Sequence, residues 1–96
     1  MRLRWTTPAL TDLEAIGDYI QSESSAAIAH GVVRAILRSA ESLKEFPHLG
    51  RAGRVPETRE FVVPNMPYIL PYRVKDQEVQ ILSVFHGARR WPETFG

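Results

Sequence analysis

The residues able to do chemistry gather toward the C-terminal end: Arg59-Glu60, Arg73, His86 and Arg89-Arg90, followed at once by Trp91. Arginine stabilises charge developing on phosphate oxygens, and His or Glu moves protons near neutral pH. Brought to one end of a small sheet, Arg59, Arg73 and Arg89 would hold a phosphodiester, with Glu60 or His86 as proton carrier. A structural reading uses the same residues: Arg73 pairs with Glu60 across strands, and His86 satisfies a backbone group at a strand end. Types and spacing leave both open, because catalytic groups and structural ion pairs look alike without geometry. The tail of Trp91, Pro92 and Phe95 beside the arginines has three uses: stacking on bases, touching a partner, or folding back on the core.

Other chemistries find little support. His30, His48 and His86 lack the i,i+4 pairing and carboxylate spacing of metal sites, and there is no cysteine to supply a thiolate. No metal and no cofactor is expected. His48-Leu49-Gly50-Arg51-Ala52-Gly53-Arg54 lacks the spacing of a phosphate-binding glycine loop. It reads as a surface connector with solvated arginines, or as a mobile basic loop beside a partner site.

The elements that must position these groups follow from periodicity. Leu3 to Thr6 alternates and predicts a short first strand. Thr7 as a hydroxyl cap and Pro8 at the first helical position open a helix to about Gln21, its stripe formed by Leu10, Leu13, Ile16 and Ile20. After the polar break Ser22–Ser25, a second stripe of Ile28, Val32, Ile36, Ala40 and Leu43 runs to Phe46, where Pro47 ends it. Gly31 inside that helix marks a close approach or plain tolerance. Three strands follow, Thr58–Val63, Tyr68–Val74 and Val79–Phe85, joined by turns at Asn65-Met66-Pro67 and Lys75–Glu78. Pro71 requires an edge position or a bulge, since it cannot donate to a ladder, and the apolar last strand belongs inside the sheet. The expected fold is α+β: an N-terminal strand, then a two-helix antiparallel hairpin packed on an antiparallel β-meander.

Ninety-six residues at 44% apolar content suit one domain spanning 1–96. A net charge of +1 and pI near 8.2 argue against a globally phosphate-neutralising chain, without excluding a local basic site. The start has no apolar run of a signal peptide, and no run approaches a membrane span, so a cytoplasmic protein with no membrane partner is expected.

One combination of motifs goes further. Trp5-Thr6, Ala9, Asp12-Leu13, Ile16 and Tyr19-Ile20 come first. Leu43, Phe46-Pro47, Gly50-Arg51 and Gly53-Arg54 follow. Thr58-Arg59-Glu60, Pro67-Tyr68, Tyr72-Arg73-Val74, Ile81-Leu82 and His86-Gly87-Ala88-Arg89 with Trp91-Pro92 complete the order. Over nearly the whole chain this resembles the RelE/ParE toxin superfamily of bacterial type II toxin–antitoxin modules. The resemblance implies a small α/β toxin held inactive by a co-expressed antitoxin whose C-terminal segment wraps round it. That antitoxin carries a DNA-binding N-terminal domain, so operator DNA is reached only through it.

Within the superfamily, RelE-type members cleave mRNA in the ribosomal A site, whereas ParE-type members poison DNA gyrase. Here Ile69 follows Tyr68 where the nuclease branch shows an arginine, and Glu60 and Val62 stand where it places lysines. Phe95 lacks the hydroxyl of its terminal tyrosine, while Arg89 matches a basic position. These departures favour the ParE-like branch, with Arg59, Arg73, His86, Arg89, Arg90 and Trp91 meeting the target. Antitoxin contacts are expected at the outward positions Tyr19, Val33 and Leu37 and at Arg51 and Arg54. The alternatives are a ribosome-dependent endonuclease using Arg59, Glu60, Arg73, His86 and Arg89, and a degenerate toxin retaining only antitoxin binding.

Overall fold

A computed structural model describes residues 1–87. The chain runs β1 (Arg2–Trp5), α1 (Thr7–Glu23), α2 (Ala26–Glu45), β2 (Arg51–Ala52), β3 (Arg59–Val62), β4 (Tyr68–Lys75), β5 (Glu78–Ile81) and β6 (Phe85–His86). The expected architecture holds, with local differences that have identifiable causes.

The cap of α1 is Thr6, not Thr7. Thr6 is extended, accepts the Ala9 N–H and donates its hydroxyl hydrogen to Ile81 O at 2.7 Å. One hydroxyl thus starts the helix and ties it to the sheet. Pro8 moves to the second helical position, where its missing N–H is equally harmless. Ser25 caps α2 by accepting from Ile28 N at 3.1 Å, and α2 ends at Glu45, before Pro47. Gly31 has nothing within 4 Å of its absent side chain, so it marks no close approach; Gly17 does, facing Val33.

The sheet order is β1-β5-β4-β3-β2. The meander β3–β4–β5 is antiparallel as expected, but β1 joins β5 in parallel, so the sheet is mixed. β5 lies inside the sheet between β1 and β4. The expected single strand from Val79 to Phe85 is instead split into β5 and β6. Tyr72 pairs with Ile81 and Ile69 with Phe85, so two intervening residues on β4 face three on the other strand. That extra residue is a bulge. Pro71 sits opposite it in the central strand: its carbonyl accepts from Leu82 N at 2.9 Å, and it has no N–H to return. The bulge is held from above by α1, where Asp12 Oδ2 accepts from Ser83 Oγ at 2.5 Å and Val84 N at 3.0 Å.

The turns carry the remaining strain. Asp76 and Gln77, both with positive φ (54° and 63°), make the two-residue turn between β4 and β5, as a type I′ hairpin requires. Pro64-Asn65, with Asn65 at φ 61° and Met66 N bonded to Val63 O, follows the type II pattern.

The helices cover one sheet face. Ala9, Leu13, Ile36, Ala40 and Leu43 pack on Val63, Leu70, Tyr72, Val79, Ile81 and Val84. Each fully buried Leu or Ile contributes about 1.5–3 kcal/mol of transfer free energy. Strand alternation leaves Arg2, Arg4, Glu60, Val62, Ile69, Pro71, Arg73, Lys75, Glu78, Gln80 and Phe85 on the face away from the helices.

Candidate functional site

The residues that the endonuclease alternative would gather into one cluster are separated wherever they are described. Arg59 lies on the helix side of β3, where its guanidinium donates to Gly50 O at 2.8 Å and His48 O at 3.4 Å. Glu60, the next residue, necessarily points to the opposite face. Its carboxylate is buried, with a side chain only 1% exposed. Arg73 shares that face but donates to Gln80 Oε1 at 2.6 Å, not to Glu60. His86 pairs with Tyr68 at the other end of β4, five residues from Arg73, or about 17 Å along the strand. The expected Arg73–Glu60 pair and the adjacency of Arg73 to His86 are therefore both corrected. The cause is the antiparallel register: Arg73 meets Gln80 near the hairpin turn, so His86 falls at the far end of β4. Arg89, Arg90 and Trp91 lie outside the described residues.

The glycine-punctuated loop is neither a solvated connector nor a phosphate cradle. Arg51-Ala52 is strand β2, paired with Glu60 and Arg59. Arg51 donates to Glu60 Oε1 through Nε (3.3 Å) and Nη2 (3.0 Å). Arg54 donates its main-chain N–H to Oε2 at 2.7 Å and brings its own guanidinium within 3.6 Å of Oε1. The glycines permit this closure. A Cβ on Gly50 would stand 2.7 Å from the Tyr72 ring and hydroxyl, and one on Gly53 would overlap Thr58. Tyr72 locks the same corner, accepting from Gly50 N at 2.9 Å and donating to Pro47 O at 2.8 Å. Burial pushes its phenol pKa up, partly offset by the Gly50 bond and by Arg59.

A second polar network crosses the open face. Arg73 donates to Gln80, Gln80 to Glu78 Oε1 at 2.7 Å, and Arg4 to the same oxygen at 3.0 Å. Arg2 approaches Glu78 at 3.8 Å. The Gln80 amide, then Arg4, hold the Glu78 carboxyl below the ordinary carboxylate value.

Two grooves flank α1. One, of about 580 Å³, lies between α1 and the end of the sheet, with Ile16 and Val84 in its lining and Tyr19, Tyr68 and His86 around them. Tyr68 and His86 meet edge to face with ring centroids 5.7 Å apart. Burial, with Tyr19 nearby, raises the Tyr68 pKa. The other groove, about 450 Å³, runs between the helices over Leu13, Gly17, Ala29 and Val33, with Glu14, Asp18 and His30 among its lining. Of the expected antitoxin contacts, Tyr19 (66%) and Leu37 (39%) are exposed on the helices. Val33 is not outward: it is half-buried against Gly17. Arg51 and Arg54 are half-exposed but committed to Glu60.

Among the described residues, no three His, Asp or Glu side chains gather as a metal ion would need, and no helix is long and apolar enough to cross a membrane. The features that residue types did not reveal are the Glu60 clamp, the Asp12 tie and the Gln80 network. Only the Arg-x-Arg alternation at Arg2/Arg4 and the short Gly50–Gly53 spacing signalled them.

The sequence and the fold are similar to those of known proteins. The chain is 44% identical over 92 residues, 96% of its length and 94% of the other, to a Sinorhizobium fredii protein named "Putative toxin Y4kP". It is 40% identical over 85 residues to Toxin RelE2 of Caulobacter vibrioides, covering 88% of this chain and 93% of that one. A solved structure of the chromosomal ParDE toxin–antitoxin system from P. aeruginosa superposes with a TM-score of 0.84 at 32% identity, over 90% of this chain and 95% of that one. The model for the ParE toxin of the type II toxin–antitoxin system parDE matches residues 3–91, so this chain belongs to the ParE toxin family.

Proposed function

We propose that this toxin acts in the cytoplasm by binding and poisoning DNA gyrase, and that a cognate antitoxin with a DNA-binding N-terminal domain neutralises it. The observation carrying this reading is the dispersal of the nuclease set. General acid–base catalysis needs the proton carrier within hydrogen-bond reach of the reacting group. Glu60 is sealed under Arg51 and Arg54, Arg59 is engaged with main-chain carbonyls, and His86 stands about 17 Å along β4 from Arg73. Such an arrangement supports recognition rather than phosphodiester cleavage. The match to the ParE branch of the superfamily supports the same target.

In this reading Arg59, Arg73, His86, Arg89, Arg90 and Trp91 contact the target, Arg59 from the helix side of β3 and Arg73 from the opposite face of the sheet. Tyr19, Leu37 and the interhelical groove floored by Val33 receive the antitoxin, and Arg51 and Arg54 contact it separately, at the Glu60 clamp on the other sheet face. The test is a supercoiling assay with purified toxin and gyrase. Inhibition at micromolar toxin, relieved by antitoxin, is expected. No inhibition, together with ribosome-dependent mRNA cleavage that His86→Ala abolishes, would replace this function with the endonuclease.

A further inference from the structure

We propose that the sheet face turned away from the helices binds the phosphodiester backbone of duplex DNA, so that the toxin touches the DNA held by its target as well as the protein. The inference rests on the gyrase reading above for its setting, but its physical basis is separate.

Charge is segregated in this fold. α1 carries Asp12, Glu14, Asp18 and Glu23 and no Lys or Arg. The open sheet face carries Arg2, Arg4, Arg51, Arg54, Arg73 and Lys75 against two carboxylates, Glu60 and Glu78. A chain of net charge +1 thereby presents a face with about four unbalanced cations, the electrostatic footprint expected of a polyanion site.

The cations are also placed. Lys75, Glu78 and Arg2 lie in one row across β4, β5 and β1, and Arg73, Gln80 and Arg4 in the next row on the same face. The rows are about 7 Å apart along the strands and each spans about 10 Å across them. Four cations thus surround one carboxylate in a compact patch. Arg4 and Arg73 are held by Glu78 and Gln80 through Nε, which leaves the terminal nitrogens of both forks as donors for oxygen ligands. The side chains of Arg2 and Arg4 are 74% and 53% exposed. Arg51 and Arg54 on Glu60 form a second, half-exposed station on the β3 side.

The occupant is narrowed by what the face presents. Single-stranded nucleic acid is held by stacking bases on aromatic rings, and the patch of Arg2, Arg4, Arg73, Lys75, Glu78 and Gln80 contains none; the described aromatic residue on this face, Phe85, pairs with Ile69, four residues along β4 from Arg73. A second copy meeting this face with its own would set like charges against each other. A flat, arginine-rich patch without rings matches the regular phosphate array of a duplex, which presents one negative charge per about 1.7 Å of axis.

The test is fluorescence anisotropy of a short duplex of arbitrary sequence with the purified full chain. With about four phosphates contacted, affinity should fall about 150-fold between about 50 and 200 mM salt. The variant Arg2→Gln/Lys75→Gln should reduce that fall to about twelvefold. Arg34→Gln/Arg38→Gln on α2 makes the same change in net charge and should leave it unaltered. The proposal is overturned if wild type shows no salt-dependent duplex binding, if it prefers a single strand or polyglutamate to the duplex, or if both double variants act alike. In parallel supercoiling assays, a sheet-face variant that inhibits gyrase as well as wild type does overturns the DNA contact and leaves the gyrase reading standing. Wild type that binds duplex in this way but does not inhibit gyrase overturns the gyrase reading instead.

Discussion

Glu60→Gln separates a structural carboxylate from a catalytic one, and the structure sets the size of the effect. The Glu60 side chain is 1% exposed and accepts the Arg54 main-chain N–H at 2.7 Å and two Arg51 N–H groups at 3.0 and 3.3 Å. A hydrogen bond to a charged acceptor contributes about 1.5–3 kcal/mol, and the main-chain bond to the buried oxygen belongs on that scale. The Arg51 side chain is 54% exposed, so solvent screens that pair to at most about 1 kcal/mol. Glutamine keeps the volume and one acceptor oxygen but loses the charge, giving an expected cost of about 2 kcal/mol. Alanine removes every acceptor and should cost about 3–4 kcal/mol. At about 4–8 °C per kcal/mol, Glu60→Gln should lower Tm by about 8–16 °C in a thermal scan followed by circular dichroism. In a double-mutant cycle with Arg51→Gln, the coupling should not exceed about 1 kcal/mol. Growth inhibition on induction should track the folded fraction and recover at lower temperature. A Tm within about 2 °C of wild type combined with abolished toxicity would refute this reasoning and return Glu60 to the role of proton carrier.

Tyr72→Phe strips the buried Gly50 N–H and Pro47 C=O of their partner; it should cost about 1–3 kcal/mol, read as a lower urea midpoint at unchanged slope. Asp12→Ala removes the acceptor shared by buried Ser83 and Val84 and should cost about 2–3 kcal/mol, with faster amide exchange at Val84 as its local signature. Gln77→Gly relieves a non-glycine residue at φ 63° and should stabilise by about 0.5–1 kcal/mol in the same denaturation assay. The Glu78 carboxyl titrates below its ordinary value of 4.5 because of the Gln80 amide and then Arg4. In acid the unfolded chain therefore takes up that proton first. The stability Glu78 contributes is complete above pH 4.5 and is lost as pH falls through the lower folded value, a slope that Glu78→Gln should remove.

How much of this was legible in the sequence depends on the range of the cause. The helices were readable because their stripes and serine and threonine caps act within four residues, and the shift of the α1 cap from Thr7 to Thr6 came from a distant acceptor, Ile81 O. The hairpin at Asp76-Gln77 was readable for the same local reason. The parallel docking of β1 on β5 was not, since nothing near Arg2–Trp5 specifies a strand more than seventy residues on. The split of the last strand needed both Pro71 across the ladder and Asp12 on a helix above it. The candidate site suffered most from this limit. Arg51 and Arg54 read as solvated because the burial of Glu60 is a tertiary fact. Arg73 and His86 looked adjacent because both stand near strand ends, but the antiparallel hairpin turning at Asp76-Gln77 sets Arg73 opposite Gln80 and carries His86, six residues further on, to the other end of β4. The charge pattern carries the same lesson further. A net charge of +1 averages over two layers, but alternation in a strand sends every second residue to one face. Once helices claim Leu3, Trp5, Tyr72, Val74, Val79 and Ile81 for the core, the intervening Arg2, Arg4, Arg73 and Lys75 are forced onto the other side together. The hydrophobic pattern that builds the core is thus also what concentrates the cations, and a function of that face is a consequence of how the chain folds rather than an addition to it.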